Sequence, residues 1–340
     1  MEEKQLLNDE KMIRIGIIGS NFIVNCFLEA TKLCKDIEIK AIYSRNMERA
    51  EQFAKENGIS LFFDDLQEFS KCSEIDAVYI ASPNSCHYEQ TLIMLNAGKH
   101  VLCEKPLASN LRQAQEMFQC AKDNGVLLLE AMRPIFHPAY QVIRKKIMEI
   151  GPVRQITLSY CKYSSRYNRF KQGIIENAFN PELSNGSLMD IGCYPIHVMI
   201  MLFGLPKRIM AMGVRLPKSI DGNGNLLAFY GDFLVDISYS KITDSYLRNE
   251  IQGENGTISF LDVTSPKSIQ YRSGENWESV NMDAVELDMV YEIREFLREI
   301  RNMEFPHRYM DDSLDTLRVM DEARAQLGIV FPADYSESSM

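Results

Sequence analysis

The sequence predicts an α/β chain in two parts: a doubly wound parallel sheet over residues 1–133, then an α+β unit over 134–340 built on a large, mostly antiparallel open sheet. Three observations predict it. Short apolar runs alternate with helical patterns through the first part, the grammar of a parallel sheet covered on both faces. From Glu130 that grammar gives way to period-two runs separated by Gly, Asn and Pro turns, which pair antiparallel. The 340 residues also exceed the roughly 250–300 that one core usually holds, so two domains are expected.

Met12–Ile18 reads as a buried strand and runs into Gly19-Ser20-Asn21-Phe22-Ile23-Val24, followed by helical spacing through Phe27, Leu28 and Ala30. Strand, tight turn and helix start form a phosphate-binding geometry, because free N–H groups and the helix dipole face the anion. A dinucleotide fingerprint would place glycines where Asn21 and Val24 stand; Asn tolerates left-handed backbone, which would keep the turn. The next strand, Ile37–Tyr43, ends in Ser44-Arg45, at the position that reads the ribose in such a fold. A hydroxyl with a guanidinium suits the 2′-phosphate of NADP, so NADP(H) is the preferred cofactor and NAD(H) a possible one.

A helix Asn46–Asn57 stopped by Gly58, a strand Leu61–Phe63, a short helix from Asp64-Asp65, a strand Asp76–Ile80 and a helix Ser85–Asn96 continue the alternation. Ser82 and Asn84 sit at the tip before that last helix, and His87 just inside it, within reach of a ligand. Val101–Cys103 then delivers Glu104 and Lys105 to a strand end halted by Pro106, which has no N–H to give a sheet. Ligands of open parallel sheets bind at that carboxyl end. Asn110 with Gln113 resembles a capping box for a helix reaching Gly125, and Val126–Leu129 closes the first sheet.

In the second part Arg133-Pro134 and His137-Pro138 break the chain before a helix reaching Ile150-Gly151. Strands are expected at Val153–Tyr163, Lys207–Arg215, Leu226–Tyr230, Phe233–Tyr239, Leu247–Gly253, Thr257–Leu261 and Ser268–Arg272, with turns at Asp221–Gly224 and Asn255-Gly256. Two helices follow, about Val285–Arg301 and Asp311–Leu327, and the tail from Ala333 is expected to fray. Ser164–Gly186 reads as one long irregular loop; its Arg166, Arg169, Lys171, Tyr163, Tyr167, Phe170 and Phe179 suit a polyhydroxylated or anionic ligand, or a subunit contact. It leads to Asp190, Tyr194 and His197, spaced i, i+4, i+7 on one helix face, with Pro195 able to start or kink that helix.

A net charge of −10 argues against nucleic acid and anionic membrane as partners, and no apolar run approaches the roughly 20 residues of a bilayer span. Met1–Lys11 is polar and shows no secretory signal. Eight scattered cysteines without a C-x-x-C pair fit reduced thiols in a cytoplasmic protein with no metal site.

Together, Gly16-Ile17-Ile18-Gly19, Ser82-Pro83-Asn84 with His87, Glu104-Lys105-Pro106, Glu130-Ala131 and Asp190-Ile191-Gly192-Cys193-Tyr194-Pro195 resemble the glucose–fructose oxidoreductase / inositol dehydrogenase (Gfo/Idh/MocA) family, and its tyrosine-bearing, dihydrodiol dehydrogenase-like branch, over nearly the whole chain. The resemblance implies a Rossmann domain and an open-sheet substrate domain that also shapes a homodimer or homotetramer. It implies hydride transfer between nicotinamide and a carbinol or carbonyl carbon of a sugar, polyol or diol. Lys105 matches the catalytic lysine and Tyr194 the acid/base. Gly16, Gly19, Ser20, Asn21, Phe22, Ile23, Ser44, Arg45, Ser82, Asn84, His87, Glu104 and Lys105 would line the cofactor. Asp190 would orient Lys105 or a substrate hydroxyl, His197 would hold a neighbouring hydroxyl, and Lys105 would draw the Tyr194 phenol down towards neutral pH. Rival functions are a non-catalytic nucleotide- or ligand-binding regulator, and an NAD-dependent glycosidase.

Overall fold

The computed structural model describes residues 12–280, 282, 285, 287–302 and 307–335; the polar start at 1–11 lies outside them. The first six strands are β1 (Ile13–Ile18), β2 (Ile37–Tyr43), β3 (Leu61–Phe63), β4 (Ala77–Ile80), β5 (His100–Glu104) and β6 (Leu128–Ala131). They form one sheet in the order β3-β2-β1-β4-β5-β6 with every pairing parallel. The helices between them are α1 (Phe22–Thr31), α2 (Met47–Asn57), α3 (Leu66–Ser70), α4 (Asn84–Asn96) and α5 (Leu111–Asp123). The order reverses between β1 and β4, so the tips of these strands open a crevice at their carboxyl ends.

Two short helices, α6 (Arg133–Phe136) and α7 (Ala139–Ile147), lead into the second sheet. Its strands are β7 (Val153–Cys161), β8 (Arg208–Arg215), β9 (Asp221–Phe229), β10 (Leu234–Ser240), β11 (Asn249–Gly253), β12 (Gly256–Leu261), β13 (Lys267–Ser273) and β14 (Asn276–Ser279), in the order β14-β13-β12-β11-β7-β10-β9-β8. The pairing is antiparallel except between β7 and β10, which run parallel. The remaining helices are α8 (Tyr167–Lys171), α9 (Cys193–Phe203), α10 (Met289–Asn302) and α11 (Arg308–Leu327).

One apolar core runs from β4 and β5 (Val78, Ile80, Val101, Cys103) through α9 and α11 to the inner face of the second sheet (Ile156, Leu158, Ile237). The other face of the first sheet is closed by α10 from far along the chain: Ile293, Phe296 and Leu297 pack with Ile15, Ile17 and Phe27. Phe27 stacks on Tyr79 at 3.9 Å between centroids.

Several local expectations change. Asn21 is not left-handed: its φ is −97°, and the positive φ of the turn belongs to Gly19 (+113°). The Asn110 cap is half a capping box, because the Gln113 side chain accepts from Ser109 N and not from Asn110 N. β6 lies two residues later than expected, which puts Glu130 inside a strand. Asp221–Gly224 is not a turn but the first half of β9, where Gly224 leaves room for the Tyr239 ring. Ser164–Gly186 is a folded strap with its own small core of Phe170, Ala178, Phe179 and Ile220, and β14 was unforeseen. The expected helix start near Val285 adjoins residues outside those described, and α10 begins at Met289. Residues 333–335 are pinned: Asp334 pairs with Arg324 at 2.6 Å and Asn110 donates to the Ala333 carbonyl; 336–340 lie outside the described residues. One stretch, Pro181–Phe203, is after all apolar and long enough to cross a bilayer by length and composition, but 72% of its window is buried inside the protein as core.

Candidate active site

Three strand tips build one wall of a cleft of about 350 Å³ between the two sheets, lined there by Asn21, Phe22, Ser82, Asn84, Glu104 and Lys105. A Cβ on Gly19 would meet the Ala81 carbonyl oxygen at 2.7 Å, so the first turn lies flush against the β4 tip. Asn21 holds that contact: its amide donates to Ala81 O (2.9 Å) while its carbonyl oxygen accepts from Val24 N, capping α1. The side chain thus does locally what a second glycine was expected to do by backbone freedom, and it takes up Val24 N, leaving Phe22 N and Ile23 N as the first-turn donors open to an anion. Ile23 lines the same edge.

Gly16 does not reach the cleft. It lies mid-strand where a Cβ would strike the Phe69 ring at 2.6 Å, so its smallness serves sheet packing. Ser44 and Arg45 stand at the β2 tip, with Ser44 N bonded to Phe63 O and Arg45 exposed. Arg49 in α2, which sequence reading passed over, reaches back to Ser20 O at 3.2 Å and brings a second guanidinium to this end. Ser82 donates to Gln90 (2.6 Å) and Asn84 to Ser184 O (2.9 Å). His87 is almost fully buried; its ring nitrogens lie 3.0 Å from the carbonyls of Pro106 and Ser82, so it clamps two strand tips together, and burial lowers its pKa.

At the opposite end β5 presents Glu104 and Lys105. Glu104 is buried, which raises its pKa, and it accepts from the Tyr79 hydroxyl at 2.7 Å. Lys105 Nζ donates to Asp190 Oδ1 and to the Asp190 carbonyl, both at 2.9 Å, and sits 4.8 Å from the centroid of the Tyr194 ring. Burial is the largest influence and opposes its charge, but Asp190, joined by Tyr194 and Cys193, holds the ammonium well above its ordinary pKa. Asp190 projects from one π-helical turn, Leu188–Gly192, that precedes α9; Pro195 falls in the first turn of α9, where a missing N–H costs nothing. Burial works against the Asp190 carboxylate too, yet Lys105 and Lys241 keep it ionised far below the usual range.

Tyr194 is 6% exposed, with Tyr160 edge-on at 5.5 Å and Arg133 beside its hydroxyl. Burial raises its pKa, and Lys105 and Arg133 only partly offset that. The expected drop towards neutrality therefore does not occur in this state. His197 does not share the cleft with Asp190 and Tyr194. It is 0% exposed, neither ring nitrogen has a hydrogen-bond partner, Glu130 Oε2 is 3.7 Å away, and burial lowers its pKa to about 3. The π turn breaks the 3.6-residue repeat, and the imidazole ends up inside the core between β6 and α9.

The far wall comes from the strap: Arg166, Asn177, Ala178 and Asn185. Arg166 belongs to the aromatic-basic loop singled out in the sequence. Lys241 carried no such signal and Arg133 reads only as a chain break; their partners, Asp190 (2.7 Å) and Asp288 (3.3 Å), place them here.

Residues 13–132 match the model of an oxidoreductase family with an NAD-binding Rossmann fold, and 140–259 the GFO/IDH/MocA C-terminal domain. The chain belongs to the Gfo/Idh/MocA oxidoreductases. It is 46% identical to scyllo-inositol 2-dehydrogenase (NADP(+)) of Bacillus subtilis (strain 168), across 95% of this chain and 99% of the relative. It is 30% identical to trans-1,2-dihydrobenzene-1,2-diol dehydrogenase of Xenopus tropicalis, across 93% and 98%. A 3-ketoreductase from Actinomadura kijaniata, solved with NADP and TDP-benzene, superposes with a TM-score of 0.82 at 25% identity, covering 93% and 98%. This member of the family is an NAD(P)-dependent oxidoreductase acting on CH–OH groups.

Proposed function

We propose that the chain interconverts a ring carbinol of a cyclic polyol, of the scyllo-inositol kind, with its ketone, using NADP(H) in preference to NAD(H). The observation that carries the reading is Lys105: its ammonium, fixed on Asp190 at 2.9 Å and 4.8 Å from the Tyr194 ring, lines the same cleft as the Gly19–Asn21 turn. The turn fits a pyrophosphate, since Gly19 packs where any Cβ would collide and Phe22 and Ile23 open a helix N-terminus at the cleft edge. Ser44, Arg45 and Arg49 would hold the 2′-phosphate, and Ser82, Asn84 and Lys105 the nicotinamide end. When bound, the nicotinamide supplies or accepts the hydride.

In the reducing direction the Lys105 ammonium stabilises negative charge growing on the carbonyl oxygen, and Tyr194, held protonated by burial, gives that oxygen its proton. In the oxidising direction the phenol must first ionise, and Lys105 and Arg133 favour its anion. Asp190 orients Lys105, while Asn185, Asn177 and Arg166 meet the other hydroxyls. Because the Tyr194 pKa is raised, oxidation should climb steadily as pH rises through 7 to 9 while reduction stays flat.

We place the domain boundary at Arg133, with α10 returned to the first unit. The exposed apolar row Met210, Met212, Val214, Leu227 and Phe229 on β8 and β9 supports a homodimer or homotetramer through the second sheet. The free cysteines support a cytoplasmic setting.

Fluorescence titration of Trp277 and of the nicotinamide with NADPH and NADH, followed by oxidation assays on inositol isomers and trans-diols, tests the reading. Micromolar NADPH binding, weaker NADH binding and turnover of scyllo-inositol are expected. Tight NADPH binding with turnover only of acyclic alcohols would overturn the substrate assignment, and an NADH preference would overturn the cofactor assignment.

A further inference from the structure

Lys241, at the end of β10, is one of the largest fully buried side chains in the protein, at 2% exposure. Its ammonium spends itself on three partners: Asp190 Oδ2 at 2.7 Å, the carbonyl of Ala178 at 2.6 Å and the Phe179 ring at 4.8 Å. Nothing in the reaction as derived above uses it. Burying a charged lysine is costly, and burial does lower its pKa, so the fold retains it against a penalty.

The arrangement around Asp190 gives it a use. An ammonium has three N–H donors. Lys105 gives two of them to Asp190, one to the backbone carbonyl and one to Oδ1, which leaves one for the cleft. A carboxylate facing a single lysine is free to take it with both oxygens, which would consume the third N–H and turn the charge away from substrate. Here Oδ2 is already occupied by Lys241, so only Oδ1 reaches Lys105.

We propose that Lys241 is a positioning residue for hydride transfer, occupying the far oxygen of Asp190 so that Lys105 keeps one N–H and part of its charge for the reacting oxygen, and tying that carboxylate to the cleft wall through Ala178. The proposal rests on the reading of Lys105 and Tyr194 as the pair that handles the reacting oxygen. The ionisable and charged groups facing Tyr194 are Lys105 and Glu104 from β5, Arg133 from α6, Cys193 from its own helix and Tyr160 from β7; those facing Lys241 are Asp190, Lys105 and Asp221 of β9.

Three variants test it in the full-length protein. Lys241→Gln keeps a donor for the Ala178 carbonyl but loses the charge; Lys241→Met loses both; Lys241→Arg keeps the charge. For Lys241→Gln and Lys241→Met, kcat should fall roughly 10–100-fold, the scale of a misplaced reacting group. The KM for NADPH should stay put, and the rise of the oxidation rate with pH should move about one unit upward, as expected when the Lys105 charge beside Tyr194 turns away onto Asp190. Lys241→Arg should return the pH profile to that of the wild type. A Lys241→Gln enzyme with an unmoved pH profile, or a Lys241→Arg enzyme displaced as far as Lys241→Gln, overturns the proposal. So does a loss confined to substrate KM, which is what a mere tether of the strap would give. Tyr194→Phe is the control: if it turns over normally, the underlying pair is misassigned; if it is inactive while Lys241→Gln is unmoved, only the role of Lys241 falls.

Discussion

Asp190, about a third exposed at the cleft, and Glu130, buried behind it, are carboxyls whose pKa values shift in opposite directions. Asp190 has an ammonium on each oxygen, Lys105 at 2.9 Å and Lys241 at 2.7 Å, and stays ionised far below the ordinary range. Glu130 has only neutral donors, Leu107 N at 2.9 Å and Ser313 Oγ at 2.7 Å, with an uncharged His197 nearby, and burial pushes it up to about 7. Burial alone favours the neutral acid; a cation on each oxygen reverses it. The charged carboxyl faces the cleft and the one with the raised pKa lies behind it, so the fixed charge sits where the proposed reaction would need a substrate oxygen polarised.

The sharpest way to break the contrast is Asp190→Asn, which leaves Lys105 and Lys241 facing each other without their anion. Lys241 is the one to give up its proton, since burial already lowers it. Lys105 then loses its fixed orientation, and kcat should fall by about 100-fold with NADPH affinity retained. Stopped-flow single turnovers with NADPH and a ketone check this; an unchanged hydride-transfer rate would mean that Asp190 does not orient Lys105.

The same contrast shows what sequence reading reaches. The parallel sheet, its strand tips and the Glu104-Lys105-Pro106 stop were legible because buried parallel strands are continuous apolar runs and proline ends them. Asp190 and Tyr194 were legible as a pair. His197 is not separable from them, because Pro195 flags a possible kink but nothing in the sequence marks the π turn that takes His197 off their face. The charge states and partners of Lys241, Arg133 and Glu130 are opaque for another reason: a charge set by a partner tens or hundreds of residues away leaves no local pattern. Asn21 looked like a loss from the glycine turn until its side chain was seen bridging to Ala81.

The neutral side of the comparison predicts a smaller effect, on stability alone. Glu130 has a folded pKa above its unfolded one, so its contribution is fully present below about pH 4.5 and is lost as pH rises through about 7. The loss across that window is about 3 kcal/mol, and Glu130→Gln, already uncharged, should remove it. Urea unfolding at pH 5 and pH 7.5 reads it directly: the variant should match the wild type within about 1 kcal/mol at pH 5 and exceed it at pH 7.5. An equal pH dependence in both proteins would place the proton elsewhere.

Glu292 sharpens the point at the smallest scale. It is 0% exposed on α10, neither carboxyl oxygen has a hydrogen-bond partner, and burial with the neighbouring Glu104 raises it well above the ordinary range despite Arg133. Its carboxyl therefore holds its proton to a higher pH than an ordinary glutamate, and Glu292→Gln should leave turnover unchanged. The folded pKa lies above the unfolded one, so stability is lost as pH climbs beyond about 4.5, and the variant should match the wild type in acid and outlast it increasingly as pH rises. Thermal unfolding followed from pH 4 to pH 8 separates the two outcomes: a gain that grows with pH fits a carboxyl whose pKa is raised. A destabilised variant at pH 7 would mean that the carboxylate is charged and that Arg133 serves it as Lys241 serves Asp190.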